Sequence, residues 1–424
     1  MRLTQNAFVF ELSGTPSRQL TLLPFPMTVN RFSPVLLSFL TAIFLSSVAT
    51  PEPVEIQRFT MDFFAQPINI EYAPTMRVDR SVRELDERVI NQIYGDLKRR
   101  PTHILLKSLL ANKEIYALND FLFYKLARQS MAVIYNGKES ALREISLFHL
   151  LNEAGFDARL TFKGKRAYVN IFTQDDLFEV PIIESDGRSY ANISCMNGEC
   201  NGRQRLYIFQ NQPNPSGRSF GFKLNDWPRL KIQPVKKPLR FNFRNATVNM
   251  NVTYDKTMVD IMEDYPFIHE YAYLETPLSP TLRESLLPEL RRMLGPLSER
   301  EQLEFLVSFT RSAFAYKEDN AYFGRSKPMV PEELFSYDYS DCEDRSALFF
   351  ALVKDLMGKS MAVVAYDDHL TVAVESDDIP GDFFNYEGRR YIFCDPTGPK
   401  GSSRIGQIPP GYEDKSFEII GQHK

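Results

Sequence analysis

The sequence predicts an α+β protein in which a central helix packs on an antiparallel sheet in the C-terminal part of the chain. Three observations carry this prediction. Residues 347–353 are apolar on every side, which is typical of a helix buried in the middle of its domain. Residues 361–366 and 370–375 have the composition of paired strands across a short turn, and residues 390–394 add a third strand.

The composition limits the class of protein. The chain has 424 residues, of which 43% are hydrophobic and 25% charged, as expected for a globular protein of two or three domains. The 50 Lys and Arg residues nearly balance the 54 Asp and Glu residues, and the net charge of −4 gives no electrostatic reason to expect nucleic acid as a partner. Four cysteines are too few for a protein built on a disulfide framework.

The N-terminal segment has the layout of a secretory signal peptide over residues 27–49. Arg31 supplies the positive charge, residues 35–45 form an uncharged apolar run, and small residues end the segment. The run is short for a bilayer span of about 20 residues, although a retained membrane anchor or a buried helix would share its composition. We therefore predict an exported protein, periplasmic or in the cell envelope. Residues 1–26 would be an over-extended start, and the mature chain would begin near Thr50.

An N-terminal α+β domain is predicted over residues 50–200. Residues 81–97 have the spacing of an amphipathic helix, and residues 103–134 are helical in composition. Residues 141–154 form a third helical segment that stops at Gly155, a common residue after a helix end. Strands are predicted at 158–162, 166–172 and 177–184.

The segment 201–265 is predicted to be a β-rich linker or a small sandwich. Its prolines divide it into short strands, such as 205–209 and 248–254. Residues 262–280 are extended and aromatic, which indicates a strap lying on the surface of the next domain.

The C-terminal domain, residues 266–424, contains two helix-start signals. Ser298-Glu299-Arg300-Glu301 is a capping box at the start of an amphipathic helix. Ser340-Asp341-Cys342-Glu343 has the same pattern and precedes the buried helix. An aromatic loop, residues 316–339, lies between them and is expected to line a cleft.

Three residues of this domain have the order of a cysteine nucleophile, a base and an orienting carboxylate. Cys342 begins the buried helix, His369 precedes the second strand, and Asp395 ends the third. A thiol nucleophile needs a base within hydrogen-bond reach, and that base needs a partner that fixes its tautomer. The helix dipole also favours a thiolate at a helix N-terminus. Each residue alone has an ordinary structural explanation, but together they predict a catalytic triad.

The residues around this triad resemble the transglutaminase-like cysteine superfamily. The resemblance implies a papain/transglutaminase-like core, with Cys342 as the nucleophile, His369 as base and acid, and Asp395 as the orienter. It covers about residues 280–410 and is closest to exported bacterial members with an Asp-Cys-Glu-Asp motif. The motifs that carry it are Ser340-Asp341-Cys342-Glu343-Asp344-Arg345-Ser346, Asp368-His369-Leu370-Thr371-Val372-Ala373-Val374 and Cys394-Asp395-Pro396-Thr397.

Three carboxylates, those of Asp341, Glu343 and Asp344, flank Cys342, and like charge disfavours a thiolate. Two explanations remain open. In the first, Glu343 belongs to the capping box, Asp344 pairs with a cation such as Arg345, and the carboxylates are otherwise solvated. Alternatively, clustered carboxylates suit Ca²⁺. Some bacterial relatives with this motif bind calcium there, so the resemblance implies a metal site at these three carboxylates, although no cofactor is required.

The donors of an oxyanion hole are only partly predicted. The backbone N–H of Cys342 is the natural donor. The hydroxyl of Tyr337 or Tyr339 is a second candidate, although both rings have the alternative role of packing.

The N-terminal half shows signs of a second copy of the same fold. Residues 117–184 repeat the order of a long helix, a loop, a helix and strands. Aligning the ends of the two short helices places Ser140 at the position of Cys342 and Ala167 at that of His369. Such a degenerate transglutaminase-like copy would bind substrate or serve as a scaffold. Any helix followed by strands would share this order.

Three functions compete on the sequence alone. The first is a cysteine hydrolase that cleaves amide bonds of a peptide or protein through a thioester intermediate. The second uses the same triad to transfer the acyl group to an amine, and the third is a non-catalytic binding or scaffold protein of the cell envelope. Contact with bulk water outside the cell favours hydrolysis, and an intact triad argues against the scaffold.

Overall fold

The computed structural model describes residues 54–136, 140–198, 205–211, 213–398 and 403–424. The predicted signal peptide and the residues before it lie outside this part of the chain. The described chain is mixed α+β, as the sequence predicts, and its sheets are antiparallel apart from one two-residue parallel pair. Within the described ranges, no helix is both long and apolar enough to cross a membrane.

The N-terminal unit, residues 54–211, begins with a hairpin, continues through helices and ends in a five-stranded sheet. The strand order in this sheet is β6-β7-β4-β3-β8. The elements are β1 (Gln57–Phe63), β2 (Gln66–Tyr72), α1 (Glu87–Lys98), α2 (Thr102–Ile115), α3 (Asp120–Ile134), α4 (Ser140–Glu153), β3 (Ala158–Lys163), β4 (Arg166–Phe172), β5 (Leu177–Phe178), β6 (Ile182–Ser185), β7 (Arg188–Asn192) and β8 (Tyr207–Ile208).

The C-terminal unit, residues 234–424, has the same plan of a hairpin, helices and a five-stranded sheet. The strand order in its sheet is β16-β17-β15-β14-β18. The elements are β9 (Pro234–Phe243), β10 (Ala246–Asp255), α5 (Lys256–Glu263), β11 (Phe267–Ile268), α6 (Glu270–Glu275), α7 (Pro280–Leu294), α8 (Glu299–Ala313), β12 (Ala315–Tyr316), α9 (Asp319–Tyr322), β13 (Tyr339–Ser340), α10 (Cys342–Met357), β14 (Met361–Ala365), β15 (Leu370–Glu375), β16 (Phe383–Tyr386), β17 (Arg389–Phe393) and β18 (Glu418–His423).

The two sheets connect their strands in the same way. Each sheet follows a helix, α4 or α10, and opens with a hairpin, and the other three strands take the same places around that hairpin. The described part of α4 starts at Ser140, directly after residues that lie outside the description, so the predicted match of Ser140 with Cys342 at a helix start stays a prediction. Ala167, however, lies inside β4, whereas His369 immediately precedes β15. The shared strand order is what a second copy of the fold would have, but the second copy itself stays a prediction.

Two helix boundaries differ from the sequence prediction. The first helix begins at Glu87, because the Asp86 side chain accepts a hydrogen bond from the Val89 N–H and caps α1. The predicted helix 103–134 is two helices, because Ala117 has a left-handed backbone (φ 49°) and the next helix starts from an Asn119 cap. The predicted strand 177–184 is likewise divided into β5 and β6.

The predicted β-rich segment 201–265 is divided between two hydrophobic cores. Phe220 and Phe222 are buried in the N-terminal core. The hairpin β9-β10 packs on α7 and α8 of the C-terminal unit, where the Phe241 ring lies 5.1 Å from the Phe309 ring centroid. Since each half of the segment buries its apolar side chains in a different core, no separate sandwich forms.

The predicted strap, residues 262–280, joins the two units. It contains a short helix, α6, as well as extended chain. Its strand β11 pairs with β5 of the N-terminal unit, and Tyr265, Phe267 and Tyr273 are buried in the N-terminal core. The strap therefore belongs to the interior between the units.

Candidate functional site

The buried helix α10 presents Cys342 at its first turn. Its cap differs by one residue from the predicted capping box: Asp341 caps the helix, and Asp344 Oδ2 accepts a hydrogen bond from the Asp341 N–H (3.0 Å). Asp344 Oδ1 accepts a second one from the Met329 N–H (2.8 Å). The reciprocal bonds satisfy N–H groups that a helix start leaves without partners. Glu343 is consequently not part of the cap, and Asp344 binds backbone rather than Arg345.

Glu343 contacts the thiol instead. The Cys342 Sγ–H donates a hydrogen bond to Glu343 Oε2 across 2.9 Å. Burial raises the pKa of the Cys342 thiol well above its usual value, and the negative charges of Glu343 and Asp341 raise it further. Both effects, burial first, oppose the thiolate that a helix N-terminus favours.

His369 and Asp395 lie at the ends of adjacent strands. Since β15 pairs with β17, the residue before β15 comes close to the residues after β17. His369 Nε2 lies 3.5 Å from Asp395 Oδ1 and 3.3 Å from the Thr397 hydroxyl. The predicted orienter, Asp395, thus lies next to the Nε2 atom of the predicted base, His369. Within the described residues, His369 Nδ1 has no hydrogen bond.

Asp395 is fixed by several donors at once. Its Oδ1 accepts hydrogen bonds from the Thr397 hydroxyl (2.6 Å) and the Thr397 N–H (3.1 Å). Burial opposes ionisation of this carboxyl, but the hydrogen bonds from His369 and Thr397 and the charge of Arg311 outweigh it and lower the pKa of Asp395 to about 2. Asp395 is therefore a carboxylate at neutral pH and suits the stabilisation of a cationic histidine.

Two buried arginines hold the Asp395 turn in place. The Arg311 guanidinium donates to the Asp395 carbonyl and to the Ser403 carbonyl (2.9 Å). Arg345 donates to the Thr397 carbonyl (2.9 Å) and the Phe314 carbonyl (2.7 Å). The turn after β17 is thereby tied to α8 and α10. The sequence does not indicate these roles, because each depends on contacts between residues distant in the chain.

An aromatic ring covers His369. The Tyr412 ring stacks on the imidazole at a centroid distance of 4.9 Å and an angle of 30°. The Tyr412 hydroxyl donates to Asp368 Oδ1 (3.0 Å), and Lys415 forms an ion pair with the same carboxylate (3.6 Å). The C-terminal loop thus restricts the orientation of the predicted base, and no local sequence pattern indicated this contact.

The carboxylates beside Cys342 form two overlapping groups. Within each group the potential ligand atoms lie within 4.8 Å of one another. One group contains Asp341, Cys342 and Glu343, and the other contains Asp319, Asp341 and Asp344. Burial and neighbouring negative charge raise the pKa of both Asp341 and Asp344. Asp319 was not predicted; it precedes the motif in the chain, and α9 brings it to the cap of α10, where its N–H donates to Asp341 Oδ2 (3.2 Å).

Asp319, Asp341, Cys342 and Glu343 line a cavity of about 560 Å³, whereas Asp344 does not line it. It is lined by Cys342 and His369, by part of the strap, and by the start of β18. Tyr316 lines it, whereas neither Tyr337 nor Tyr339, the predicted oxyanion-hole candidates, does so. The Tyr337 hydroxyl points to Glu263 (3.5 Å) instead. The arrangement offers a thiol, an imidazole oriented by a carboxylate, and acidic oxygen ligands within one cleft.

Comparison of this chain with protein-family models, with curated proteins and with solved structures found no match in any of the three.

Proposed function

We propose that the protein is an exported cysteine enzyme that attacks amide bonds of peptide or protein substrates and hydrolyses them. The observation that carries the proposal is that Cys342 and His369 line the same cavity. Cys342 lies on the first turn of a buried helix, and His369 Nε2 faces the Asp395 carboxylate. The helix-on-sheet arrangement also supports assignment of the C-terminal unit to a papain/transglutaminase-like core.

In the proposed reaction His369 Nδ1 takes the proton of the Cys342 thiol, and the sulfur attacks the amide carbonyl carbon. The carbon–nitrogen bond breaks as the imidazolium gives its proton to the leaving amine, and a thioester remains. Water then attacks the thioester, His369 accepts its proton, and the carbon–sulfur bond breaks to restore the thiol. Asp395 stabilises the imidazolium, since its low pKa keeps it ionised throughout.

Transfer of the acyl group to an amine is the close alternative, because it differs only in which nucleophile reaches the thioester. A binding or scaffold protein is the alternative from a different class. Its specific support is the hydrogen bond that commits the Cys342 thiol to Glu343. A protonated thiol that does not contact the base is the arrangement expected of an idle site.

The carboxylates beside the thiol fit a divalent cation such as Ca²⁺, which we propose as an accessory ligand. Asp341 Oδ1 is buried and has no hydrogen-bond partner, an arrangement that costs free energy without a cation or donor. Asp319, Asp341 and Asp344, with Glu343 nearby, are the residues that would hold the ion. Its positive charge would offset the carboxylates that oppose a thiolate. We expect Ca²⁺ to raise the melting temperature and a chelator to reverse the effect, whereas Asp319→Asn should weaken both responses.

The decisive experiment compares the rate of Cys342 alkylation by iodoacetamide with and without His369. We expect His369→Ala to slow alkylation at neutral pH about tenfold or more. Cys342→Ala should abolish labelling, because Cys394 is fully buried and Cys195 is disulfide-bonded. Equal rates for the wild type and His369→Ala would favour the scaffold. Incubation with a peptide library, with and without a primary amine, then separates hydrolysis from transfer by product mass.

A further inference from the structure

The cavity that contains Cys342 is lined by charges of one sign. Eight carboxylate side chains line it, and among the described lining residues there is no Lys or Arg. The whole chain, by contrast, has nearly equal numbers of acidic and basic residues. The carboxylates are those of Glu270, Glu318, Asp319, Asp341, Glu343, Asp367, Asp368 and Glu418. A cleft with one sign of charge concentrates ligands of the opposite sign and repels those of its own sign.

The outer carboxylates of the cavity are those outside the two possible ligand groups, such as Glu270, Glu318 and Asp368. In the part of the chain that the structure describes, only some of them have a cationic partner. Lys415 pairs with Asp368 at 3.6 Å. The structure pairs neither Glu270 nor Glu318 with a Lys, Arg or His side chain within the described residues, and Glu318 is solvent-exposed. These two side chains come from different parts of the chain, one from the strap and one from the loop before α9, and both line the cavity. A ligand in the cavity would meet negative charge from both elements.

One inner carboxylate has an oxygen without a hydrogen-bond partner. Asp341 is 6% exposed, lines the cavity, and leaves its Oδ1 unpartnered. Burial raises the pKa of Asp341 and Asp319, so the negative charge of the cavity comes chiefly from the other lining carboxylates, and a cation at the inner group would leave those in place. The excess of negative charge therefore does not depend on whether such an ion is bound.

Aromatic side chains line the same cavity. They are Phe178, Tyr316, Tyr366 and Phe417; Tyr316 is 46% exposed, and the Arg345 guanidinium lies 5.0 Å from the centroid of its ring. Lys and Arg side chains are attracted both to carboxylates and to the faces of aromatic rings. An acidic or purely apolar peptide would satisfy only one part of this lining or neither.

We infer that the cleft selects a peptide segment that carries Lys or Arg side chains next to the amide that Cys342 attacks. The inference rests on the proposed function for the chemistry, but its charge preference is measurable without a substrate. The outer carboxylates Glu270 and Glu318 would contact the cationic side chains, and Tyr316 would pack against their stems.

The first test measures the charge preference of the cleft with thiol reagents. A trimethylammonium-bearing and a sulfonate-bearing methanethiosulfonate of similar size are reacted with Cys342, and the ratio of their rates is taken. Because both reagents meet the same thiol, the ratio does not depend on its pKa. We expect the cationic reagent to react about tenfold faster or more at low salt, and the ratio to fall towards one in high salt.

Matched double variants test whether the carboxylates of the cleft cause this ratio of rates. Glu270→Gln with Glu318→Gln should lower it, whereas Glu284→Gln with Asp378→Asn removes two exposed carboxylates that do not line the cavity and should leave it unchanged. The measurement is repeated with Ca²⁺ and with a chelator. A ratio near one, a ratio that Ca²⁺ abolishes, or equal responses of the two double variants would overturn the inference.

The second test asks whether the preference extends to peptides. Matched short peptides containing Lys, Ala or Glu are used to protect Cys342 from iodoacetamide, which is neutral. Protection at several-fold lower concentrations of the Lys peptide supports the inference, and equal protection by all three overturns it. Neither test uses His369→Ala. A missing charge preference would therefore overturn this inference without affecting the proposed function, and a Cys342 reactivity that does not need His369 would overturn the proposed function without affecting the charge preference.

Discussion

At the scale of single residues, the position of the Cys342 thiol against Glu343 determines its reactivity. The thiol faces a carboxylate oxygen at 2.9 Å, and the nearby negative charge and burial keep the proton on sulfur. We predict that Glu343→Gln lowers the pKa of Cys342 and accelerates its alkylation at pH 7. Each pKa unit raises the thiolate fraction about tenfold while the thiol remains mostly protonated. The midpoint of the rate against pH should move to lower pH.

The matched control for Glu343→Gln is Glu318→Gln. Glu318 lines the same cavity but has no hydrogen bond to the thiol, so its removal should move the midpoint less. Slower alkylation of Glu343→Gln would contradict this account, because it would mean that Glu343 acts as the base for Cys342.

Asp395 gives a prediction about stability in acid. Its folded-state pKa is about 2, which is below the value of about 3.9 for an unfolded chain. The stabilisation is therefore present above the unfolded-state pKa and is lost as the pH falls towards 2, and it amounts to about 3 kcal/mol. We expect Asp395→Asn to be less stable at neutral pH and to have a shallower dependence of the unfolding free energy on pH between about 4 and 2. Urea unfolding across that range measures both, and parallel curves for the two proteins would contradict the account.

The residues of the site differ in how far the sequence could predict them. Cys342, His369 and Asp395 follow from local motifs at the ends of predictable elements. Asp319, Arg311 and Tyr412 could not be predicted in the same way, because each acts on a partner that only the folded chain brings near. The contribution of Glu343 to the raised pKa of Cys342 was not predicted, for a local reason. The helix cap is Asp341 and not Ser340, so Glu343 is not part of the capping box and its carboxylate reaches the thiol.

At the scale of elements, the end of α10 shows how a single residue fixes the path from helix to sheet. Gly358 ends the helix with a left-handed backbone (φ 61°), and its N–H bonds to the carbonyls of Val353 and Lys354. This geometry turns the chain directly into β14, which begins three residues later and packs in the same core as the helix.

The prediction at this scale compares two glycines that follow helices. Gly358→Ala should cost about 1 kcal/mol, because a Cβ there meets no atom within 4 Å and only backbone strain is added. Gly295 follows α7 with a right-handed backbone (φ −51°), so Gly295→Ala should be neutral or stabilising by up to about 1 kcal/mol. Thermal or urea unfolding measures both variants. Equal effects would show that backbone conformation does not govern these positions.

Elements with a strong local pattern were predicted closely, and those that depend on partners were not. The strands β14 and β15 and the capped helix α8 lie within about a residue of their predicted bounds. The break between α2 and α3 was missed, since composition does not reveal a left-handed turn at Ala117. The helix α6 in the strap was also missed, because the strap lies between two cores rather than on a surface.

At the scale of the whole molecule, the strap ties the two units together, because its aromatic side chains are buried in the N-terminal core. Tyr265, Phe267 and Tyr273 of the strap are buried among residues of the N-terminal unit. Trp227, the only tryptophan, is buried in the same core, and its indole N–H donates to the Pro277 carbonyl across 2.7 Å. This arrangement was not predictable from composition, which suggested a linker between two separate domains. Because neither unit can leave the other without exposing these side chains, we expect the two to unfold together.

Two probes, one in each core, test this coupling. Trp227 fluorescence reports the N-terminal core, and alkylation of the buried Cys394 in a Cys342→Ala background reports the C-terminal core. Both urea transitions should coincide. The Tyr265 ring packs at a centroid distance of 4.5 Å from Phe121, so Tyr265→Ala should destabilise the chain by about 3 kcal/mol and shift both transitions equally. A shift confined to the tryptophan signal would show that the strap stabilises only the N-terminal unit, and that the C-terminal core can persist when that unit unfolds.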